Sequence, residues 1–210
     1  MKIELERVSP MEIEARSFEI ITSELPHPID ETYAPIIKRV IHTTADFEYA
    51  DTLCFSQDVI RQALEAIREG AAIITDTTMA MSGINKRALA RHGGEAHCFI
   101  SDADVADQAA RQGTTRAVAA MEKAARIQDK PLIFAIGNAP TALVRLYELI
   151  AEGHLNPRLV IGVPVGFVNV VQSKELIMRA GVPYIVARGR KGGSNVAAAI
   201  CNALLYMLGR

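Results

Sequence analysis

The stretch Pro131–Gly166, PLIFAIGNAPTALVRLYELIAEGHLNPRLVIGVPVG, decides the fold. It opens on an unbroken apolar run, Pro131–Ile136, and reaches a second one at Leu159–Val163. Between them Leu143, Leu146, Tyr147 and Ile150 form one stripe at helical spacing, stopped by Gly153. Strand, crossover helix and strand make a parallel unit. Apolar runs that do not alternate with polar residues imply strands covered on both faces, as parallel sheets are. Working outward, Ala71–Thr75, Ala96–Ser101 and Tyr184–Ala187 read the same way. The pattern predicts an α/β fold on an open, mainly parallel sheet of about five strands. Leu53–Phe55 is a further short strand or extended segment. With no repeat, low-complexity tract or linker visible, residues 1–210 are expected to form one domain.

The remaining elements read as helices. After a short alternating run, Pro10 opens one with Met11, Ala15, Phe18 and Thr22 on one face, Ser9 and Glu12 fitting a capping pattern. A second spans Glu31–Ile41 with Asp30 as cap and Ile36, Ile37, Val40 and Ile41 buried. Ser56 caps a third, carrying Val59, Ile60, Ala63, Leu64 and Ile67 and ended by Gly70. Leu176, Ile177 and Ala180 mark another before Gly181, and Val196, Ala199, Ile200, Ala203, Leu204 and Met207 mark the last.

Composition narrows the function classes. Half the residues are hydrophobic, Trp is absent and the mean hydropathy is +0.15, as expected of a well-buried globular protein. The net charge of −1 and the lack of a basic stripe argue against nucleic acid as a partner. Cys54, Cys98 and Cys201 are scattered, without CxxC or metal-ligand spacing, so no metal site is expected. The start MKIELERVSP has no apolar signal core, and no apolar run is long enough for a membrane span. A cytoplasmic protein is the expectation.

In an open parallel sheet, ligands bind beyond the C-terminal strand ends. Here those ends carry Thr75-Asp76-Thr77, Gly137-Asn138-Ala139-Pro140-Thr141, Gly162–Gly166 and Gly189–Asn195. Glycine lets a backbone approach a ligand closely, and each loop starts a helix whose first N–H groups lack partners. The rim therefore suits phosphate or carboxylate. The last loop sets two cations, Arg190 and Lys191, and two glycines before a helix start, where the dipole disfavours cations, so a bound anion at Lys191–Asn195, including Ser194, would explain them. A plain solvated turn is the alternative. Arg116 sits in the first turn of a helix Arg116–Arg126 capped by Thr114 or Thr115. It is either a carboxylate receptor or the partner of an ordinary salt bridge, for instance with Asp107.

One histidine stands out. In Lys38–Tyr49, KRVIHTTADFEY, His42 falls at a helix C-terminus, where the dipole favours the imidazolium form. Asp46 or Glu48 would push the same way, which suits a general acid. Thr43 beside it joins the candidate ligand-facing residues. The other reading is a helix cap or a surface residue. Arg16 and Ser17 lie beside an apolar helix face, either reaching a pocket or simply exposed. His92, His97 and His154 sit in or near polar turns and read as surface residues. No GxSxG nucleophile elbow is present, and the missing GxGxxG and Walker A patterns speak against a nucleotide-dependent enzyme.

Five segments taken together carry a family resemblance. RVIHTTADFEYAD (39–51), TDTTMAMSGINKRALA (75–90), GNAPTALVRL (137–146), GVPVGFVNVVQSKE (162–175) and GRKGGSNVAAAICNALLY (189–206), in this order, resemble precorrin-8X methylmutase. The resemblance implies a three-layer α/β/α sandwich, a homodimer, no cofactor and a corrinoid tetrapyrrole substrate. It implies an isomerase of cobalamin biosynthesis that moves a methyl group from C-11 to C-12 of the ring. The family's catalytic histidine matches His42, which would protonate or hydrogen-bond the ring C nitrogen. Ser17, with Arg16 before it, matches a substrate contact, and Arg116 matches the TR of a helix motif. Thr43, Asn138, Lys191, Ser194 and Asn195 complete the expected substrate-binding set. Met79, Met81, Val165 and Phe167 would supply an apolar slot for the ring. The IHTTADFEY and GRKGGSN wording is closer to the branch that takes a cobalt-bearing ring, so cobalt would arrive with the substrate. A non-catalytic tetrapyrrole carrier is the alternative from another class.

Overall fold

The computed structural model describes residues 8–10 and 12–209. The alternating run before Pro10 lies largely outside the described residues, as does Met11. In chain order the elements are α1 (Ile13–Glu24), α2 (Ala34–Thr44), α3 (Tyr49–Thr52), β1 (Leu53–Phe55), α4 (Val59–Arg68), β2 (Ala72–Thr75), α5 (Thr78–Gly83) and α6 (Lys86–Ala90). They continue with β3 (Glu95–His97), α7 (Ala103–Gln112), α8 (Arg116–Ala124), β4 (Leu132–Ile136), α9 (Pro140–Ala151), β5 (Leu159–Gly162), α10 (Val170–Met178), β6 (Tyr184–Ala187) and α11 (Ser194–Met207).

The strands form one sheet in the order β1-β6-β5-β4-β2-β3. Among the described residues there are six strands, not about five, because Leu53–Phe55 pairs with β6. That edge pair is antiparallel and all the others are parallel. The central strands β2, β4 and β5 are buried at every position, as their unbroken apolar runs require. Their side chains alternate between two separate cores. Ile73, Ile133, Ala135, Ile161 and Ile185 face α2, α4, α6 and α11. Ile74, Phe134, Ile136, Val160 and Val186 face α7, α8, α9 and α10. The result is helix, sheet and helix in three layers. Among the described residues no helix is long and apolar enough to cross a membrane.

Several helix starts differ from the sequence expectation, each for a local reason. The second helix begins at Ala34, not Glu31, with Pro35 in its first turn. Proline's fixed φ and missing N–H suit that position. Asp30 instead closes the preceding turn, its carboxylate accepting from Thr32 N at 2.8 Å. Ser56 is not the cap of α4, since its hydroxyl accepts from Tyr184 N at 2.9 Å and ties the end of β1 to β6. The third strand is Glu95–His97 rather than Ala96–Ser101, because it pairs only with the short β2.

The chain reverses its direction of travel between β2 and β4. From β2 it moves outward to β3; from β4 it moves the other way to β5 and β6. The loops after β2 and β4 therefore diverge from one crevice, the usual ligand position in such sheets.

Candidate functional site

That crevice is filled by the protein's own carboxylate. Asp76, 2 % exposed, accepts from the backbone N–H groups of Gly137 at 2.9 Å, Asn138 at 2.8 Å and Ala139 at 2.6 Å. These are the donors at the start of α9 that a bound anion would have used. Burial pushes the Asp76 carboxyl up from its usual range, and the three N–H donors pull the other way. The Asn138 side chain is exposed above this bond, but its backbone N–H is taken.

The neighbouring loops stack on this anchor. Thr77 caps α5, accepting from Ala80 N at 3.1 Å, and its hydroxyl lies 2.8 Å from that of Ser194 at the start of α11. A Cβ at Gly137 would stand 2.7 Å from Ser194 Cα and 2.8 Å from Gly193 O, so glycine is required for the approach of the two loops. A Cβ at Gly192 would land on the backbone carbonyl of Val163. Backbone cannot step aside as a flexible side chain can. Gly192→Ala is therefore expected to cost on the order of 3 kcal/mol, read as a lower urea midpoint at unchanged slope.

Lys191 does not hold its charge open for a ligand. Its Nζ lies 2.6 Å from Asp46 and 2.6 Å from Glu48, in the turn that follows α2. The hydrogen bond from Lys191 holds the Asp46 carboxyl below its ordinary value, and the two carboxylates raise the Lys191 ammonium. The cation that looked misplaced before a helix N-terminus is thus explained by internal partners. The two carboxylates expected to act on His42 are bound instead to Lys191.

Beneath this loop lies a residue that sequence reading missed. Lys174 on α10 is 1 % exposed, and its Nζ donates to Gly189 O at 2.9 Å and Lys191 O at 2.8 Å. Burial lowers its pKa from 10.5 to about 8. The native state therefore releases this proton before the unfolded chain does. The cost of burying the charge is fully present below pH 8 and fades as the pH rises to 10.5. Relative to Lys174→Met, the wild-type protein is expected to gain stability across that window, measured by urea unfolding at both ends.

His42 occupies the last turn of α2, which is closed by Ala45 in the left-handed conformation, its N–H bonded to Ile41 O at 2.7 Å. Five residues of α2, Ala34, Ile36, Ile37, Val40 and Ile41, are buried, and the same spacing turns His42 and Thr43 outward. The imidazole meets the Phe18 ring edge-on, with 5.6 Å between centroids. It stands at the lip of two hollows. One, of about 250 Å³, is lined by Ser17, Ile20, Ile21, Glu24, Ile41, His42, Ala45 and Phe47. The other, of about 220 Å³, is lined by Arg39, His42, Thr43, Gly83, Asn195, Ala198, Ala199 and Asn202.

Of the expected site residues, Ser17, Thr43 and Asn195 thus share a hollow with His42. Ser17 turns its hydroxyl back to Ile13 O at 2.8 Å. Arg16 pairs with Glu19 at 3.2 Å along α1 and lines neither hollow. Arg116 is exposed at the start of α8, behind the Thr115 cap that accepts from Val118 N, and lines neither hollow. The salt bridge offered for it with Asp107 is not among the ion pairs of the described residues. Met79, Val165 and Phe167 stand exposed on the rim, together with Val168. Arg190 lies over the Phe167 ring at 5.4 Å.

Arg39 and Asn202 were not expected at the site. Arg39 is held by Glu14 at 2.5 Å and packs over the rings of Phe18 and Tyr206. Asn202 accepts from Asn85 N and donates to Gly83 O, both at 2.8 Å. Both face the hollow from helices whose other sides are core. Among the described residues no group of three His, Cys, Asp or Glu side chains is placed to hold a metal ion. A separate hollow of about 470 Å³ lies at the opposite end of the sheet, between residues preceding β4 and β5. Its cations Lys130 and Arg158 are paired with Glu95 and Glu69, and it lies at the strand ends that parallel sheets do not use.

Comparison with known proteins agrees on one family. The sequence profile of precorrin-8X methylmutase matches residues 12–207. A cobalt-precorrin-8 methylmutase from Salmonella typhimurium is 50 % identical, over 95 % of this chain and 96 % of its own. One from Priestia megaterium is 49 % identical, over 94 % of this chain and 88 % of its own. The crystal structure of a precorrin-8x methyl mutase from Thermus thermophilus superimposes with a TM-score of 0.84 at 40 % identity, covering 93 % of this chain and 96 % of the other. With the fold, the profile and the relatives in accord, the chain belongs to the precorrin-8X methylmutase family, whose members are methyl-shifting isomerases.

Proposed function

We propose that this isomerase of cobalamin biosynthesis moves the methyl group at C-11 of cobalt-precorrin-8 to C-12, giving cobyrinic acid, with His42 as the catalytic acid. The observation that carries the reading is His42 standing exposed between two hollows, one holding Ser17 and the other Thr43 and Asn195. A ring laid across that lip brings one of its nitrogens to the imidazole while its arms reach either side. A proton or hydrogen bond on the ring C nitrogen draws electron density from the macrocycle as the methyl migrates. The shift is intramolecular, so the protein supplies only binding, orientation and charge stabilisation. Cobalt enters as part of the substrate, which the names of the relatives near 50 % identity favour over the metal-free ring. The exposed apolar rim of Met79, Val165, Phe167 and Val168 suits the flat ring face or the second subunit of a homodimer.

Anaerobic incubation with cobalt-precorrin-8 and, separately, with the metal-free ring tests this. The expected result is a change in the absorbance spectrum with no change in mass, faster for the cobalt ring. Tight binding without isomerisation would point to a carrier instead, and faster turnover of the metal-free ring would reverse the choice of branch.

A further inference from the structure

We infer that Lys174 is a positioning residue, fastening the loop between β6 and α11 so that Lys191 reaches the turn behind His42. The kinetic part of this inference rests on the activity proposed above; the structural part does not.

The argument starts from cost. An ammonium taken out of water with no carboxylate beside it is expensive, and an apolar side chain of similar size would fill the same space without that penalty. Lys174 is 1 % exposed, and its Nζ is bonded to two backbone carbonyls. Both belong to the loop, at Gly189 and Lys191. That loop is rich in glycine. Gly189, Gly192 and Gly193 have positive φ and no side chain with which to pack. A glycine-rich segment loses much conformational freedom when ordered. Its ends are pinned by Arg188 N to Thr52 O at 2.8 Å and Gly193 N to Val163 O at 2.9 Å. Between them, the Arg190 carbonyl accepts from Gly166 N at 3.1 Å.

Lys191 then joins two regions. Its carbonyl points inward to Lys174, while its side chain points outward to Asp46 and Glu48. These carboxylates follow directly on the left-handed Ala45 that ends the helix of His42. A path of direct contacts thus runs from Lys174 through the Lys191 backbone and ammonium to the turn beside the imidazole. Loosening the first contact lets the last one drift. A misplacement of about 1 Å can cost roughly 100-fold in rate without touching the reacting atoms.

Lys174→Met, Lys191→Ala and the double variant are compared by amide hydrogen exchange and by turnover at saturating ring. Lys174→Met is expected to lose protection at the amides of residues 188–193 while the amides of β4, β5 and α11 keep theirs. Its kcat is expected to fall by about 100-fold with KM little changed, and the double variant to be no slower than Lys174→Met alone, since both act along one path. Lys174→Gln keeps an uncharged N–H donor group and provides a folded comparison should the apolar variant not accumulate; it is expected to fall between. Unchanged exchange in the loop of either Lys174 variant overturns the tether. A loosened loop with wild-type kcat, or losses that multiply in the double variant, overturns the positioning role. If the wild-type protein converts neither ring, the proposed activity fails and the exchange measurement still decides the tether.

Discussion

Replacing His42 by alanine is expected to leave the protein folded and to remove most of its turnover. The side chain is exposed, so its loss opens no cavity. Its ring meets Phe18 edge-on, and such pairs contribute about 0.5–1.5 kcal/mol. The thermal midpoint should therefore move little. The rate should fall by roughly 10²–10⁴-fold, the usual contribution of a positioned acid. The substrate meets Ser17, Thr43 and Asn195 in the proposed pose whether or not the imidazole is there, so affinity for the ring product should change far less than kcat. Anaerobic absorbance kinetics at saturating ring, with a parallel product titration, separates the two. A variant that turns over at the wild-type rate would remove His42 from the chemistry. One that loses affinity and rate equally would make it a binding residue.

Asp76→Ala should have the largest effect on stability. The carboxylate takes three backbone N–H groups at the start of α9. Removing it leaves donors at a nearly buried position without an acceptor, and each such group costs about 1–3 kcal/mol. Because the side chain is only 2 % exposed, water has poor access to replace it. The total loss is expected to be on the order of 3–5 kcal/mol, read from urea unfolding. Asp76→Asn should lose less, since its amide oxygen still accepts while its nitrogen cannot. A midpoint shifted by less than a third of the expected loss would mean that the loops after β2 and β4 rearrange to pair these donors elsewhere. The same bond bears on ligand choice. A nucleotide phosphate in that crevice would face a carboxylate, which fits the absence of a phosphate-binding motif in the sequence.

The fold was legible where burial alone shapes the sequence. Strands such as β4 (Leu132–Ile136) and β5 (Leu159–Gly162) are covered on both faces, so no position is polar and the run announces itself. The edge strand Leu53–Phe55 was weaker because it is short and half covered. The helix carrying His42 was legible from its buried stripe, whereas its start was misplaced because Pro35 outweighs Asp30. The rim was harder. Lys191 looked like a ligand receptor because its carboxylate partners lie far earlier in the chain, Asp46 by 145 residues, and no local pattern reveals a partner that distant. Asp76 hid for the same reason, its donors lying 61 to 63 residues later. Lys174 did leave a signal. In α10 the buried positions are Val170, Ser173, Lys174 and Ile177, a single helical stripe with a lysine inside it. A charge within an apolar stripe marks a group that is paid for elsewhere. That Ser17 and His42 line one hollow was not legible, since the two residues sit on different helices and no spacing rule joins them.

Helix α11 has a consequence for how the chain comes into being. It is the last of these elements to leave a ribosome, yet it lies against α2, α4 and α5 at the centre of one layer. Until it emerges, Ile36, Ile37, Val40 and Ile41 on the His42 helix lack much of the surface that later covers them. A nascent chain halted before Val196 therefore displays a greasy helix to chaperones and proteases. Asn195, Ala198, Ala199 and Asn202 also wall one hollow beside His42. Covering that layer's core and closing that hollow are therefore one event, while the hollow that holds Ser17 is walled by α1, α2 and the turn after it and needs no part of α11.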